Sequence, residues 1–258
     1  MRYLYSAILG LLFGSFSNVC ILRLPADESL WFPRSHCPRC HRSLKAIHNI
    51  PVISYLVLKG RCGFCRSPIS AQYPLIECIM ALLFLFNAWH FSDSVDRMVI
   101  ADVLSFYLST LSLIDFRHRI IPDELSLSLL ALGFLGSFAN PYFSGSPSVK
   151  LVESLVAGIG GGLMMLIIAW VGEKAFKKEA MGGGDIKLVA ATSAVLGWEG
   201  LIGPLMLGSL TGGLVALILL FSKKKKLGET LPFGPFLSLG AYVTCLFPGW
   251  CRYLFSQK

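Results

Sequence analysis

The stretch LIGPLMLGSLTGGLVALILLF at residues 201–221 is 21 residues long and has no charged side chain. A helix that crosses the hydrocarbon core of a bilayer needs roughly 20 mostly apolar residues. Further apolar runs lie along the whole chain, and the shortest has 12 residues. The sequence therefore predicts an all-α polytopic membrane protein with about eight transmembrane helices. The other seven runs are 3–22, 74–91, 98–114, 125–140, 151–171, 186–197 and 232–247.

Composition and charge agree with a membrane protein. Hydrophobic residues make up 54% of the chain and charged residues 15%, with a mean hydropathy of +0.65, whereas soluble domains have about 25% charged residues. Of the 23 Lys and Arg, 18 lie in alternate loops at 23–72, 117–119, 174–187 and 223–226. Cytoplasmic loops carry such an excess. The net charge of +8 therefore indicates topology in a bilayer, with these loops in the cytoplasm, and no nucleic acid partner.

Two cysteine pairs stand in the first long loop. Cys37-Pro-Arg-Cys40 and Cys62-Gly-Phe-Cys65 are separated by 21 residues, close to the spacing of zinc ribbons. Four thiolates from two such pairs can surround one tetrahedral ion. Two structural disulfides are the alternative, which a reducing cytoplasm disfavours. We predict a structural zinc ion in a small, zinc-ribbon-like loop.

These features predict three parts of the chain. Residues 1–22 are the first transmembrane helix, residues 23–72 are the cytoplasmic cysteine loop, and residues 73–258 are a membrane-embedded helical domain. Such a layout places the cysteine loop between two membrane helices.

Two carboxylates lie at the ends of predicted spans. Asp115 closes one span and Asp185 opens another, and ionisable residues in membrane segments indicate function because burying charge in hydrocarbon is costly. Both lie at the predicted cytoplasmic face, where they can meet and share one proton, as in aspartic proteases. The run Gly182-Gly183-Gly184 before Asp185 lets backbone approach a substrate closely.

The same carboxylates have less specific interpretations. Asp185 is a residue type favoured at helix N-caps, and Asp115 has Arg117 and Arg119 as neighbours for an ion pair. Asp123, eight residues after Asp115, is an alternative catalytic carboxylate.

The chain resembles the bacterial type IV prepilin peptidases, which are GxGD-type intramembrane aspartyl proteases. The resemblance covers essentially the whole chain, because the motifs occur in the family's order. They are Gly14-Ser15-Phe16-Ser17-Asn18-Val19 with Arg23, the two cysteine pairs, Asn49-Ile50-Pro51, Tyr73-Pro74-Leu75-Ile76-Glu77, Asp115 with Ile121-Pro122-Asp123, and Gly182-Gly183-Gly184-Asp185-Ile186-Lys187.

The resemblance implies cleavage of a short basic leader from prepilins or pseudopilins of type IV pilus and type II secretion systems. Cleavage takes place on the cytoplasmic side of the bacterial inner membrane, and the family's catalytic aspartates fall on Asp115 and Asp185. Many members also methylate the new N-terminus with S-adenosylmethionine. That activity is associated with the N-terminal half, here with Gly14, Asn18, Arg23 and Glu77.

Two positions depart from the family pattern. His48 replaces an acidic residue that often precedes Asn-Ile-Pro, and Gln72 replaces an Arg that often precedes Tyr-Pro. Both lie in the half tied to methylation. Two other functions fit a polytopic chain with paired carboxylates, namely an ion-coupled transporter and a non-catalytic assembly subunit.

Overall fold

A computed structural model describes residues 1–32, 34–177, 181–222 and 231–250, and helices are the main structure of these residues. Two isolated antiparallel bridges in the cysteine loop are the extent of β structure in those residues. The all-α prediction is confirmed. The helices are α1 (Arg2–Arg23), α2 (Ile53–Val57), α3 (Gln72–His90), α4 (Val95–His118), α5 (Asp123–Gly136), α6 (Pro147–Phe176), α7 (Gly183–Leu196), α8 (Glu199–Phe221) and α9 (Gly234–Leu246).

Five of these helices, α1, α3, α4, α6 and α8, are long and apolar enough to cross a membrane. The remaining three predicted spans coincide with α5, α7 and α9, which have 14, 14 and 13 residues. A helix of 14 residues is about 21 Å long, short of the roughly 30 Å hydrocarbon core. The count of eight spans is therefore not confirmed.

The chain divides into two compact units, Met1–Met98 and Val99–Lys258. The boundaries predicted from sequence, 1–22, 23–72 and 73–258, remain a prediction. Five basic positions used for the topology, Lys178 and the four lysines at 223–226, lie outside the described residues.

In the first unit, α1 and α3 approach through glycines. A Cβ at Gly10 would lie 2.5 Å from Ala81 Cα, and one at Gly14 would lie 2.6 Å from Glu77 Cα. Glycines four residues apart permit this backbone proximity between membrane helices. The contact fixes α1 against the helix that bears Glu77.

In the second unit, α7 is the central helix. It contacts α5, α6, α8 and α9, and residues 188–196 are buried apart from Ala190. Small residues again allow close packing, since a Cβ at Gly133 of α5 would lie 2.9 Å from the Ala194 side chain.

Polar side chains hold the C-terminal end of α7. The Asn140 amide donates to the Val195 carbonyl at 2.7 Å, and the Ser154 hydroxyl donates to the Ala194 carbonyl at 2.7 Å. Hydrogen bonds of this kind join helices where lipid offers no alternative partner. The opposite end of this anchored helix carries Asp185.

Candidate functional site

Asp115 is buried near the end of α4, with 6% of its surface exposed. The Gly234 backbone N–H, the first of α9, donates to Asp115 Oδ2 at 2.9 Å. The first N–H groups of a helix have no partner within the helix, and its N-terminus favours negative charge. Asp115 therefore satisfies the start of α9, which has no side-chain cap of its own.

Asp185 is the third residue of α7 and is half-buried. The N-cap of this helix is Gly182, so the alternative in which Asp185 is the N-cap is wrong. The carboxylate turns toward the start of the helix, because a Cβ at Gly182 would lie 3.8 Å from Asp185 Oδ2. An acidic group in the first turn is favoured by the helix dipole.

Asp115 and Asp185 are near enough to act on each other. The two carboxylates interact electrostatically, although they stand on different helices. Arg119, four residues after Asp115, also acts on Asp115 electrostatically. Two acidic groups that interact in this way ionise less readily together than each would alone.

The segment between α4 and α5 packs against the start of α7. A Cβ at Gly184 would lie 2.6 Å from Ile121 Cβ, whereas a Cβ at Gly183 would meet nothing within 4 Å. Of these two glycines, only Gly184 lies against another segment, so only at Gly184 does the close packing require a residue without a side chain. This contact sets the position of Asp185 relative to the end of α4.

Asp123, the alternative catalytic carboxylate, pairs with a cation. Its Oδ1 lies 2.5 Å from Lys187 Nζ, and the two side chains are 57% and 41% exposed. Exposed ion pairs contribute only about 0–1 kcal/mol. The Asp123 carboxylate therefore joins α5 to α7 through Lys187. Asp115 is the carboxylate that interacts electrostatically with Asp185.

The four loop cysteines form one cluster. All four Sγ atoms lie within 4.8 Å of one another, with Cys37 Sγ 3.8 Å from Cys65 Sγ. Four sulfurs around a tetrahedral zinc ion at about 2.3 Å would lie about 3.8 Å apart. All four are free thiols, so the disulfide alternative is not what the structure contains. The residues present fit zinc.

Both cysteine pairs adopt the same turn. The N–H of each first cysteine donates to the carbonyl five residues later, at 3.1 Å for Cys37 and 2.8 Å for Cys62. The residue after each second cysteine is left-handed, with φ of +54° at His41 and +61° at Arg66. The two turns therefore offer their sulfurs in equivalent geometry, as two zinc knuckles do.

Hydrogen bonds favour the thiolate form at Cys37 and Cys65. At Cys40 the backbone hydrogen bond from Arg42 lowers the pKa, but burial and hydrogen bonds with the neighbouring thiols outweigh it and raise the pKa to about 11. The Cys40 backbone N–H is the main group that lowers the pKa of the Cys37 thiol, to about 6. The Ser67 side chain, 3.2 Å from Cys65 Sγ, lowers the pKa of Cys65. Thiolates are the form that binds metal.

We expect the purified chain to hold about one zinc ion, and Cys37→Ser or Cys62→Ser to lose it, because four sulfurs complete the coordination. Metal loss should expose residues 23–72 to protease, since zinc binding and folding of such loops are linked. Elemental analysis and limited proteolysis measure the two effects. Cys78→Ser is the matched control, because Cys78 is free, exposed and outside the cluster. Absence of metal in a wild-type chain with four reactive loop thiols would contradict the prediction.

The predicted methyl-transfer residues of the first unit are only partly assembled. Gly14 contacts Glu77, and the Asn18 amide donates to the carbonyls of Gly14 at 3.2 Å and Tyr73 at 3.1 Å. Arg23 instead donates to the Ser29 carbonyl at 2.9 Å. Gly14, Asn18 and Glu77 therefore lie near one another on α1 and α3. The Arg23 side chain instead donates a hydrogen bond to the segment that follows α1.

The two departures from the family pattern have structural neighbours. The His48 ring packs edge-on against Phe64 of the second knuckle at 5.3 Å between centroids, so a ring–ring contact stands where an acid often does. Gln72 begins α3 and its N–H donates to Ser70 Oγ at 3.2 Å.

Two contact residues were not predicted. Gly234 contributes a backbone N–H to Asp115, and its signal in the sequence is a glycine between two prolines in Pro232-Phe233-Gly234-Pro235. Val52 donates its N–H to Glu77 Oε2 at 2.7 Å with φ of +60°. A β-branched residue rarely adopts that conformation, so the amino-acid type gave no indication of this contact.

Comparisons with known proteins cover nearly the whole chain. Residues 8–91 match the bacterial peptidase A24 N-terminal domain, and residues 102–217 match the type IV leader peptidase family. A prepilin leader peptidase/N-methyltransferase of Pseudomonas putida is 35% identical, covering 93% of this chain and 89% of the relative. A protein of that name from Pectobacterium carotovorum is 36% identical over 90% and 88% of the two chains. No solved structure matches the chain. Identity at this level over this length shows that the chain belongs to the type IV leader peptidase family.

Proposed function

We propose that the chain cleaves the leader peptide of type IV prepilins or pseudopilins with Asp115 and Asp185 as an aspartyl dyad. The observation that carries this proposal is the electrostatic interaction of these two carboxylates, which lie near the end of α4 and at the start of α7. Membership of a peptidase family supports an enzyme over a transporter or an assembly subunit.

In this mechanism one carboxylate is ionised and the other protonated, because two close carboxylates cannot both ionise readily. The ionised group takes a proton from water, and the protonated group polarises the scissile carbonyl. The pair titrates as a unit, so neither residue has a fixed role. The Gly234 N–H holds one oxygen of Asp115, which leaves the other for water or substrate.

Cleavage on the cytoplasmic side is supported by charge. The loops at 23–72 and 117–119 carry much of the basic excess that marks cytoplasmic loops. Asp115 lies three residues before the end of α4, and Arg119 follows directly after that helix. Asp115 therefore lies beside the basic loop at 117–119, which supports a cytoplasmic position for the dyad.

We also propose that the first unit carries N-methyltransferase activity with S-adenosylmethionine as donor. Asn18 Oδ1 is buried and has no hydrogen-bond partner among the described residues. An orphaned buried acceptor is costly, and this one suits the amino group of the donor or of the pilin N-terminus. Asn18 and Glu77 are the residues that would hold such an amine, and the donor would supply the methyl group.

Incubation of the detergent-solubilised chain with a full-length prepilin tests the proposal. Electrophoresis and mass spectrometry should show a product shortened by its leader, with an added methyl group when S-adenosylmethionine is present. An uncleaved prepilin under conditions that keep the enzyme folded would contradict it.

Gly184→Ala should reduce the initial rate of cleavage by about tenfold or more, because small displacements of catalytic groups cost up to about 10²-fold. The added methyl group would lie 2.6 Å from Ile121 Cβ, so the start of α7, which bears Asp185, would have to shift. Gly183→Ala is the matched control and should cleave at close to the wild-type rate, since a Cβ there meets nothing. Equal rates for the two variants would refute this explanation.

The two activities should be separable. Asp185→Asn should still methylate a pre-cleaved pilin, because methyl transfer needs a bound donor and an uncharged amine, whereas peptide hydrolysis needs water, a base and an acid. Transfer of label from S-adenosylmethionine to mature pilin measures this. Labelling by the wild type and none by Asp185→Asn would indicate one shared site.

A further inference from the structure

The cysteine loop exposes an aliphatic surface that the zinc site does not use. Residues 47–57, named here the aliphatic turn, carry five large aliphatic side chains that are 42–74% exposed. Groups of exposed apolar side chains mark contacts with membranes or proteins. The five are Ile47, Ile50, Ile53, Leu56 and Val57.

The aliphatic turn has a defined shape. The Ser54 hydroxyl, which is buried, donates to the Ile47 carbonyl at 2.7 Å. The Ser54 N–H donates to the Ile50 carbonyl at 3.0 Å. The buried Ser54 therefore fixes the shape of the turn from inside, while its five large aliphatic side chains stay exposed.

A hydrogen bond to a buried carboxylate fixes the position of the aliphatic turn along α3. Glu77, 6% exposed, accepts a hydrogen bond from the Val52 N–H at 2.7 Å, and Val52 is held at φ +60°. Strained residues persist only where their surroundings determine them. The 19 residues of α3 make about 28 Å, barely the roughly 30 Å of the hydrocarbon core. Glu77 is the sixth residue of α3, about 7.5 Å along the helix from its start. The hydrogen bond from Val52 to Glu77 therefore holds the turn near this end of α3, at the membrane boundary.

The charges beside the turn complement an anionic membrane surface. Lys45 stands two residues before it, and Lys59 and Arg61 follow it; all three are exposed. Residues 23–72 carry eight basic residues against two acidic ones, Asp27 and Glu28. Basic residues next to a membrane helix bind anionic lipid.

We propose that the aliphatic turn inserts into the interface of the bilayer that holds α1 and α3, with Lys45, Lys59 and Arg61 on anionic headgroups. Amphipathic segments with an apolar face and a basic flank bind membranes in this way. The cysteine loop is then bound to the membrane surface at a third place, besides its two helical ends.

Photocrosslinking in the full-length chain tests this proposal. The photoreactive residue p-benzoylphenylalanine replaces Leu56 or Val57, whose side chains are exposed, and in a control it replaces Pro38 at the exposed tip of the first knuckle. The chains are reconstituted in vesicles of phosphatidylethanolamine and phosphatidylglycerol in equal amounts. Mass spectrometry of the irradiated protein should show lipid adducts at positions 56 and 57 at least about fivefold above position 38.

Three results would overturn the proposal. Lipid adducts at 56 and 57 no more frequent than at 38 would show that the turn faces water. Adducts to added prepilin or to a second copy of the chain, in place of lipid, would make it a protein-binding surface. Lys59→Gln with Arg61→Gln should lower the share of phosphatidylglycerol among the adducts, and an unchanged share would remove the role of anionic headgroups.

Discussion

Asp115→Asn and Asp185→Asn should each lower the rate of prepilin cleavage by about 10²–10⁴-fold or more, the range for loss of a general acid or base. Asparagine keeps the shape of aspartate, so the Gly234 N–H can still donate to an oxygen at position 115. An amide cannot exchange the proton that the reaction requires. Both variants should therefore insert and fold as the wild type does. The measurement is the initial rate of leader removal at saturating prepilin.

Asp123→Asn is the matched control for the dyad. Its carboxylate is exposed and paired with Lys187, a contact that contributes about 0–1 kcal/mol, so the rate should stay within about twofold of wild type. Wild-type cleavage by Asp115→Asn or Asp185→Asn would remove the aspartyl mechanism. An inactive Asp123→Asn with an active Asp115→Asn would assign the reaction to Asp123.

Helix positions could be predicted from the sequence, but the number of spans could not. Each of the eight apolar runs is helical, because apolar runs of this length pack as helices whether they face lipid or protein. The centre of α7 is almost wholly buried, whereas only 17% of the apolar window of α8 is buried. Both helices were predicted as spans from their apolar residues, because hydropathy does not report what covers those residues. The short helices α5, α7 and α9 therefore gave a spanning signal that their length does not confirm.

The cysteine cluster follows from local spacing, since two residues separate the members of each pair and each pair closes its own turn. The electrostatic interaction of Asp115 with Asp185 agrees with the predicted topology, in which an inbound and an outbound helix end at one face. These two predictions needed only positions along the chain. The contact of Val52 with Glu77 needed a rare backbone conformation, which no residue type in that segment signals.

The hydrogen bond from Gly234 to Asp115 could not be predicted, because the donor is a backbone group 119 residues away along the chain. Every residue but proline carries such a donor, so the residue type does not identify it. The sequence does show that residue 234 is a glycine and has no side chain. A Cβ at Gly234 would lie 2.8 Å from Asp115 Oδ2, so only glycine lets this N–H reach the carboxylate.

Gly234→Ala should therefore lower kcat for cleavage by about 10- to 100-fold and leave KM within about twofold, because it displaces one catalytic group and no substrate contact. Gly213→Ala is the matched control: it lies in α8, a Cβ there meets nothing within 4 Å, and kcat should be unchanged. Thermal unfolding should show both variants folded. A wild-type kcat for Gly234→Ala, with Asp115→Asn inactive, would mean that Asp115 is catalytic but needs no help from α9. An active Asp115→Asn would refute the dyad itself, whatever Gly234→Ala does.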